Sequence, residues 1–106
     1  MTTFDKREEG FEKKFALDEE EKFKAEARRN KLLGLWVAEK LGMSGDLATV
    51  YAREVVAADF EEAGDGVFRK VAGDLEAGGA GVTEEQIRAK MDELMVQAIV
   101  QVKAGV

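Results

Sequence analysis

The sequence predicts an all-α fold, a small four-helix bundle that follows a mobile, partly helical N-terminal arm. The chain has 106 residues and no proline, and proline is the residue that most often interrupts a helix. From residue 32 onward, apolar residues recur at helical spacing, and no alternating strand pattern competes with them. Glycines separate the helical segments, and the length leaves room for one hydrophobic core.

Residues 1–31 differ in composition from the rest of the chain, because they hold nine Lys/Arg and nine Asp/Glu with few large apolar residues. On a helix, Phe4, Phe11 and Phe15 fall within about 40° of one another, which is a thin stripe. Burying three phenylalanines yields roughly 5–9 kcal/mol. Ordering the backbone of the arm costs more than that. We therefore predict a mobile arm over residues 1–18 and a four-helix domain over residues 19–106.

The first predicted helix begins at Phe4 or later and runs through Leu41, where Gly42 supplies a terminating glycine. Its apolar half carries six large residues, with Trp36 expected in the core. They are Leu32, Leu33, Leu35, Trp36, Val37 and Leu41.

The second and third helices are bounded by short polar or glycine signals. The second begins after Ser44 as N-cap and closes at Gly64. Its predicted apolar face is Leu47, Val50, Tyr51, Val55 and Ala58, widened by Val56 and Phe60. The third runs from Asp65 or Gly66 to about Ala77, with Phe68, Val71 and Leu75 on one face.

The fourth helix has the strongest start signal, because Thr83 and Gln86 form a capping box ahead of a helical apolar stripe. Ile87, Met91, Leu94, Met95, Ala98 and Val102 follow that stripe. Together with the three preceding segments, it completes the predicted bundle.

Composition excludes several classes of function. The chain has no histidine and no cysteine, which excludes zinc sites and nucleophiles activated by histidine. We predict no enzyme activity, no cofactor and no metal. A net charge of −6 argues against a nucleic-acid partner. No apolar run is long enough to insert into a membrane, and the charged start does not match a signal peptide, so we expect a cytoplasmic protein.

Two features of the sequence each allow two interpretations: the phenylalanines of the arm and the charges of residues 18–31. The arm phenylalanines either bind an external partner groove, which we favour, or dock on the chain's own bundle. The charges of residues 18–31 are those of a solvated helix. Alternatively, Arg28, Arg29 and Lys31 beside Trp36 form an anion or nucleotide patch.

The residues also resemble a known family over essentially the whole chain. The matching segments are MTTFD at 1–5, FEKKFA at 11–16, AEARRNKLLGLW at 25–36, DFEEAG at 59–64 and IRAKMDEL at 87–94. They resemble the zeta subunit of alphaproteobacterial F-type ATP synthase, an ATPase inhibitor. The ARRNKLLGLW block is the most specific of these segments.

The resemblance implies a non-enzymatic inhibitor of ATP hydrolysis that is peripheral to the inner membrane through the ATP synthase. Its partners would be the alpha, beta and gamma subunits, with the arm in a catalytic alpha/beta interface near the gamma rotor, blocking rotation. By position in the arm, seven residues are expected to contact the partner. They are Phe4, Lys6, Arg7, Phe11, Lys13, Lys14 and Phe15.

Two other functions remain open from the sequence. One is a helical regulatory protein with an unrelated protein partner, and the other is weak binding of an adenine nucleotide. In all three cases, control by histidine titration cannot operate within this chain, because it has no histidine.

The composition of the arm makes its mobility testable. In the free protein, we expect backbone order parameters from NMR relaxation to be clearly lower over residues 1–18 than over residues 84–102, because the arm has too little apolar surface to offset its ordering entropy. Equal order parameters in the two segments would contradict this prediction.

Overall fold

The computed structural model describes residues 17–62 and 64–105. In this part of the chain there are four α-helices and no strand. The helices are α1 at Glu19–Lys40, α2 at Gly45–Glu61, α3 at Gly66–Ala77 and α4 at Glu84–Ala104. The predicted all-α, four-helix fold is therefore confirmed. Most of the arm lies outside the described residues.

Helix α1 is the centre of the bundle, because it packs against α2, α3 and α4. Leu33, Val37 and Ala38 in its second half are completely buried, and Ala25 is nearly so. The other three helices contribute the remaining large core residues. These are Tyr51, Val55, Val67, Phe68, Val71, Leu75, Ile87, Met91 and Leu94.

The first and last helices, α1 and α4, begin with reciprocal capping boxes. The Thr83 hydroxyl accepts a hydrogen bond from the Gln86 backbone N–H at 3.1 Å, and Gln86 Oε1 accepts from the Thr83 N–H at 2.9 Å, as the sequence predicted. Asp18 and Glu21 make the same arrangement at the start of α1. Sequence analysis missed this second box, although its spacing is identical.

The turn after α1 reverses the chain so that α2 runs back beside it. Gly42 adopts a φ of 77°, a left-handed conformation that favours glycine. The Met43 N–H donates to the Ala38 carbonyl at 2.8 Å and the Gly42 N–H to the Glu39 carbonyl at 3.1 Å. These two bonds are those of a Schellman motif, so the predicted terminating role of Gly42 is confirmed.

Helices α1 and α2 approach closely where Gly34 faces Ala52. A Cβ atom added at Gly34 would lie 2.6 Å from Ala52 Cα and 3.1 Å from Ala52 Cβ. Both residues are buried. Glycine at position 34 is therefore required by contact between two helix backbones.

The predicted apolar face of α2 was too broad. Leu47, Val50 and Phe60 are 69%, 51% and 68% exposed, whereas Tyr51 and Val55 are buried. Val50 and Phe60 lie about 100° and 180° round the helix from Tyr51, so neither can share its buried side. Leu47 lies on the same side as Tyr51 but in the first turn of α2, where no neighbouring helix of the described ranges covers it.

The predicted core position of Trp36 is only partly correct, since its side chain is half-buried and packs against the edge of the core. The predicted stripes of α3 and α4 are largely correct. Phe68, Val71, Leu75, Ile87, Met91, Leu94 and Ala98 are all buried.

Two glycine-to-alanine variants separate packing from helix propensity. Gly34→Ala should lower the free energy of unfolding by about 1–3 kcal/mol, because α1 and α2 must move apart. Gly73→Ala is the matched control, since Gly73 is an exposed position inside α3 with no atom within 4 Å of an added Cβ. It should raise the free energy of unfolding by about 0.5–1 kcal/mol. Urea unfolding measures both values, and a neutral Gly34→Ala would refute the close approach.

Candidate partner-binding surface

The seven predicted partner-binding residues of the arm all lie outside the described residues, so the structure does not place them relative to one another. It does describe the point where the arm joins the bundle. Asp18 is extended, with φ −76° and ψ 175°, and its carboxylate accepts a hydrogen bond from the Glu21 backbone N–H at 2.7 Å. Asp18 thus supplies the acceptor for one of the free N–H groups in the first turn of α1.

Next to this junction, a groove of about 690 Å³ runs along the outer side of the first half of α1. Its apolar lining comes from α1, α2 and α4, and its charged rim comes mainly from α1. The apolar residues are Phe23, Ala27, Val56 and Val102, and the charged residues are Glu21, Lys24, Arg28 and Lys31.

An exposed aromatic pair stands beside the groove. The rings of Phe23 on α1 and Phe60 on α2 lie 6.2 Å apart between centroids, tilted by 49°. The two residues are 57% and 68% exposed. Two large aromatic side chains in contact with each other, yet open to solvent, form an apolar patch of the kind found at protein interfaces. Sequence analysis missed the pair, because nothing in the spacing of Phe23 and Phe60 relates them.

The basic side chains of this groove make few strong ion pairs or hydrogen bonds with the rest of the described chain. Lys24 pairs with Glu20 at 3.0 Å, but both side chains are largely exposed, so the pair stabilises little. Arg28 donates to the neutral side chain of Gln101 at 3.4 Å. Among residues 17–62 and 64–105, Lys31 makes no ion pair. Glu21, the one acidic residue of the rim, is bound to Lys103 at 3.1 Å.

Arg29 is separated from its basic neighbours. Its Nε–H donates to Asn30 Oδ1 at 2.8 Å. Burial lowers the pKa of Arg29 from its usual value, and the nearby carboxylates of Asp59 and Glu26 oppose that shift. The side chain of Arg29 is thus partly buried, and its one hydrogen-bond partner in the described ranges is Asn30. Asn30 itself is buried, and its Nδ2 has no hydrogen-bond partner in the described part of the chain.

Trp36 lies at a different surface from Arg28 and Lys31. It lines a pocket of about 430 Å³ between the second half of α1 and the start of α4. The amino groups of Lys40 and Lys90 each lie 5.6 Å from the centre of its ring. The predicted patch of Arg28, Arg29 and Lys31 beside Trp36 is therefore divided between two sites.

Acidic side chains are numerous, yet within the described ranges no three of them gather into a group that could hold a metal ion. No helix there is long and apolar enough to cross a membrane. The described surface does offer a groove with exposed aromatic and basic side chains, a combination found at protein interfaces.

Comparison with known proteins identifies the family. The family model described as ATPase inhibitor subunit zeta matches residues 1–101, which is nearly the whole chain. The chain therefore belongs to the ATPase inhibitor subunit zeta family, as the sequence motifs indicated.

A solved structure shares this fold. It is a protein whose structure was determined by NMR in solution, with 58% sequence identity and a TM-score of 0.69. The similarity covers 79% of this chain and 96% of that one. No curated relative matches the chain.

Proposed function

We propose that the protein inhibits ATP hydrolysis by the F-type ATP synthase through its N-terminal arm. The arm, residues 1–18, folds into a catalytic alpha/beta interface near the gamma rotor and blocks rotation. The alpha, beta and gamma subunits are then its partners. Through them the protein is cytoplasmic and peripheral to the inner membrane.

The observation that carries this proposal is the extent of the family match. It begins at residue 1, so the charged arm is part of the sequence that this chain has in common with an inhibitor family. An arm kept only as a solvated tail would not need three phenylalanines at helical spacing. A groove in a partner can supply the apolar contacts that the arm alone cannot make.

The junction of the arm with α1 is compatible with this role. Asp18 and Glu21 form the capping box of α1, so the helix begins at Glu19 with its N-cap already in place. The part of the arm before Asp18 can thus change conformation on binding while Asp18 keeps its hydrogen bonds to the start of α1. An inhibitor that acts by obstruction also needs no catalytic group, in agreement with the absence of histidine and cysteine from the sequence.

Removing the two central phenylalanines tests the proposal. Phe11→Ala/Phe15→Ala should abolish inhibition of ATP hydrolysis by the isolated catalytic head, because buried aromatic anchors dominate binding into grooves. The loss corresponds to roughly 3–6 kcal/mol, or more than a hundredfold in affinity. The measurement is a titration of ATP hydrolysis with the variant.

The matched control is Leu47→Ala/Val100→Ala, which removes two exposed apolar side chains from the bundle surface, 69% and 53% exposed. It should inhibit like the wild type, and circular dichroism should show both variants folded. If the double phenylalanine variant stays folded and inhibits fully, the arm stripe is not the anchor.

A second candidate function, weak binding of an adenine nucleotide, is favoured by the surroundings of Trp36. An indole ring can stack on a base, and the two lysines beside it can meet phosphates. Lys90 would exchange its ion pair with Glu93, at 2.9 Å, for such a contact. This site replaces the one that the sequence predicted at Arg28, Arg29 and Lys31.

Trp36 is the chain's single tryptophan, so its fluorescence reports this site directly. Titration with ADP should change the emission, and Lys40→Gln/Lys90→Gln should weaken the response about tenfold, because two phosphate contacts are lost. Arg28→Gln/Lys31→Gln serves as the control and should leave the response of the Trp36 emission to ADP unchanged. An emission unaffected by ADP would eliminate nucleotide binding beside Trp36.

A further inference from the structure

We propose that the groove beside the arm junction is a second docking surface, which receives an acidic helix of the ATPase catalytic head. We name it the basic groove. Three basic side chains and one acidic side chain line it among apolar ones, and its residues are Glu21, Phe23, Lys24, Ala27, Arg28, Lys31, Val56 and Val102. This inference rests on the proposed function, because it concerns the same partner. It assigns a separate task to the bundle, which is to hold the head while the arm occupies its site.

The first argument is charge complementarity. Over residues 17–105, acidic side chains outnumber basic ones by 18 to 12, so the surface as a whole is negative. The basic groove reverses that sign. Lys24, Arg28 and Lys31 are spaced i, i+4 and i+7, which places them along one side of α1. A second hollow of about 250 Å³ shares Lys31 and Val56 and adds Arg53, which extends the positive surface onto α2.

These charges are available for a partner. The ion pair of Lys24 is exposed, Arg28 meets only an amide, and neither Lys31 nor Arg53 is paired with a carboxylate in the described ranges. A net acidic protein would be repelled by an acidic partner at most orientations. Basic side chains gathered in one groove therefore orient an approaching acidic partner, and they also stabilise the complex that forms.

The second argument is the apolar content of the groove. Phe23 supplies an exposed ring, Phe60 extends it, and Val56 and Val102 lie between the helices. Aromatic and arginine side chains are the residues most enriched at the centres of protein interfaces. A partner helix with carboxylates alone would leave this apolar surface exposed to water. We therefore expect the partner helix to carry an apolar side chain between its acidic residues.

The length of the groove indicates a helix. The groove extends along α1 from Glu21 to Lys31, which corresponds to about 15 Å at the rise of an α-helix. About ten residues of a partner helix span that distance. An amphipathic helix lying in a groove is a recurring mode of peptide recognition.

The chain's own arm is a weaker complement to this surface. Residues 1–18 carry five acidic and four basic side chains, so the arm has almost no net charge to offer a basic groove. A second copy of the chain is the other alternative, and both are distinguished by the test below.

The test measures binding of the full-length chain to the isolated catalytic head at low and at high salt. Lys24→Glu/Lys31→Glu should raise the Kd about tenfold or more at low salt, because two attractive contacts become repulsive. The difference should shrink at high salt, where exposed charges are screened. The matched control is Lys22→Glu/Arg69→Glu, which changes the net charge equally at exposed positions outside the groove. It should stay within about twofold of the wild type.

An uncharged variant tests the apolar half of the surface. Phe23→Ser should raise the Kd about tenfold at both salt concentrations, because it removes an aromatic contact and no charge. Leu47→Ser is its control, since Leu47 is also an exposed large apolar residue but lies at the start of α2, away from the Phe60 end that contacts Phe23. Circular dichroism confirms that each variant is folded.

Each other outcome overturns the inference in a distinguishable way. If the wild type binds and inhibits, but the groove variants match their controls, the docking surface is wrong and the proposed function stands. If the wild type neither binds nor inhibits, both fail. If Lys24→Glu/Lys31→Glu binds more tightly than the wild type, the groove holds the chain's own arm. If the wild type self-associates in analytical ultracentrifugation and that variant does not, the occupant is a second copy.

Discussion

The bundle depends on the close packing of α1 against α2, and that packing depends on the absence of a side chain at Gly34. With no Cβ there, the backbone of Ala52 can approach so closely that an alanine would meet its Cα at 2.6 Å. The approach lets Leu33, Val37 and Val55 bury completely in the adjoining core. Because α1 also contacts α3 and α4, a shift at this point would propagate through the whole core.

The chain separates by position the residues that stabilise the fold from those that we propose to bind a partner. The apolar side chains that hold the fold lie from Ala25 onward, with a nearly continuous core across all four helices. The segment before Leu17 has a balanced set of charges and a thin stripe of phenylalanines. A segment of that kind gains little by folding alone and more by folding against a partner. This separation lets the bundle remain intact while the arm changes its surroundings.

The two proposed contacts with the ATPase would act together. The arm joins α1 at Asp18, and the basic groove begins one turn later at Glu21. A bundle held on the head by the groove would keep the arm at a high effective concentration near its site, with no added affinity in the arm itself. The Trp36 pocket lies towards the other end of α1, so a ligand there would leave the groove open.

Sequence patterns were sufficient for the features that depend on near neighbours along the chain. The capping box at Thr83 and the terminating glycine at Gly42 involve residues within a few positions of one another, and both were predicted correctly. The stripes of α3 and α4 were largely correct, although Met95 and Val102 are only partly buried. The capping box at Asp18 was equally readable and was overlooked. The family was also determined by sequence, because its motifs extend over nearly the whole chain.

The tertiary structure decided which of several apolar faces is buried and which residues of different helices meet. Which side of α2 is buried, that of Tyr51 or that of Phe60, could not be decided until the neighbours of α2 were known. The contacts of Phe23 with Phe60, of Gly34 with Ala52, and of Trp36 with Lys90 join residues 18 to 54 positions apart. A helical period fixes only the direction of each side chain about its own axis. Burial and binding surfaces also depend on how the helix axes are placed against one another, and that placement is a property of the packed core.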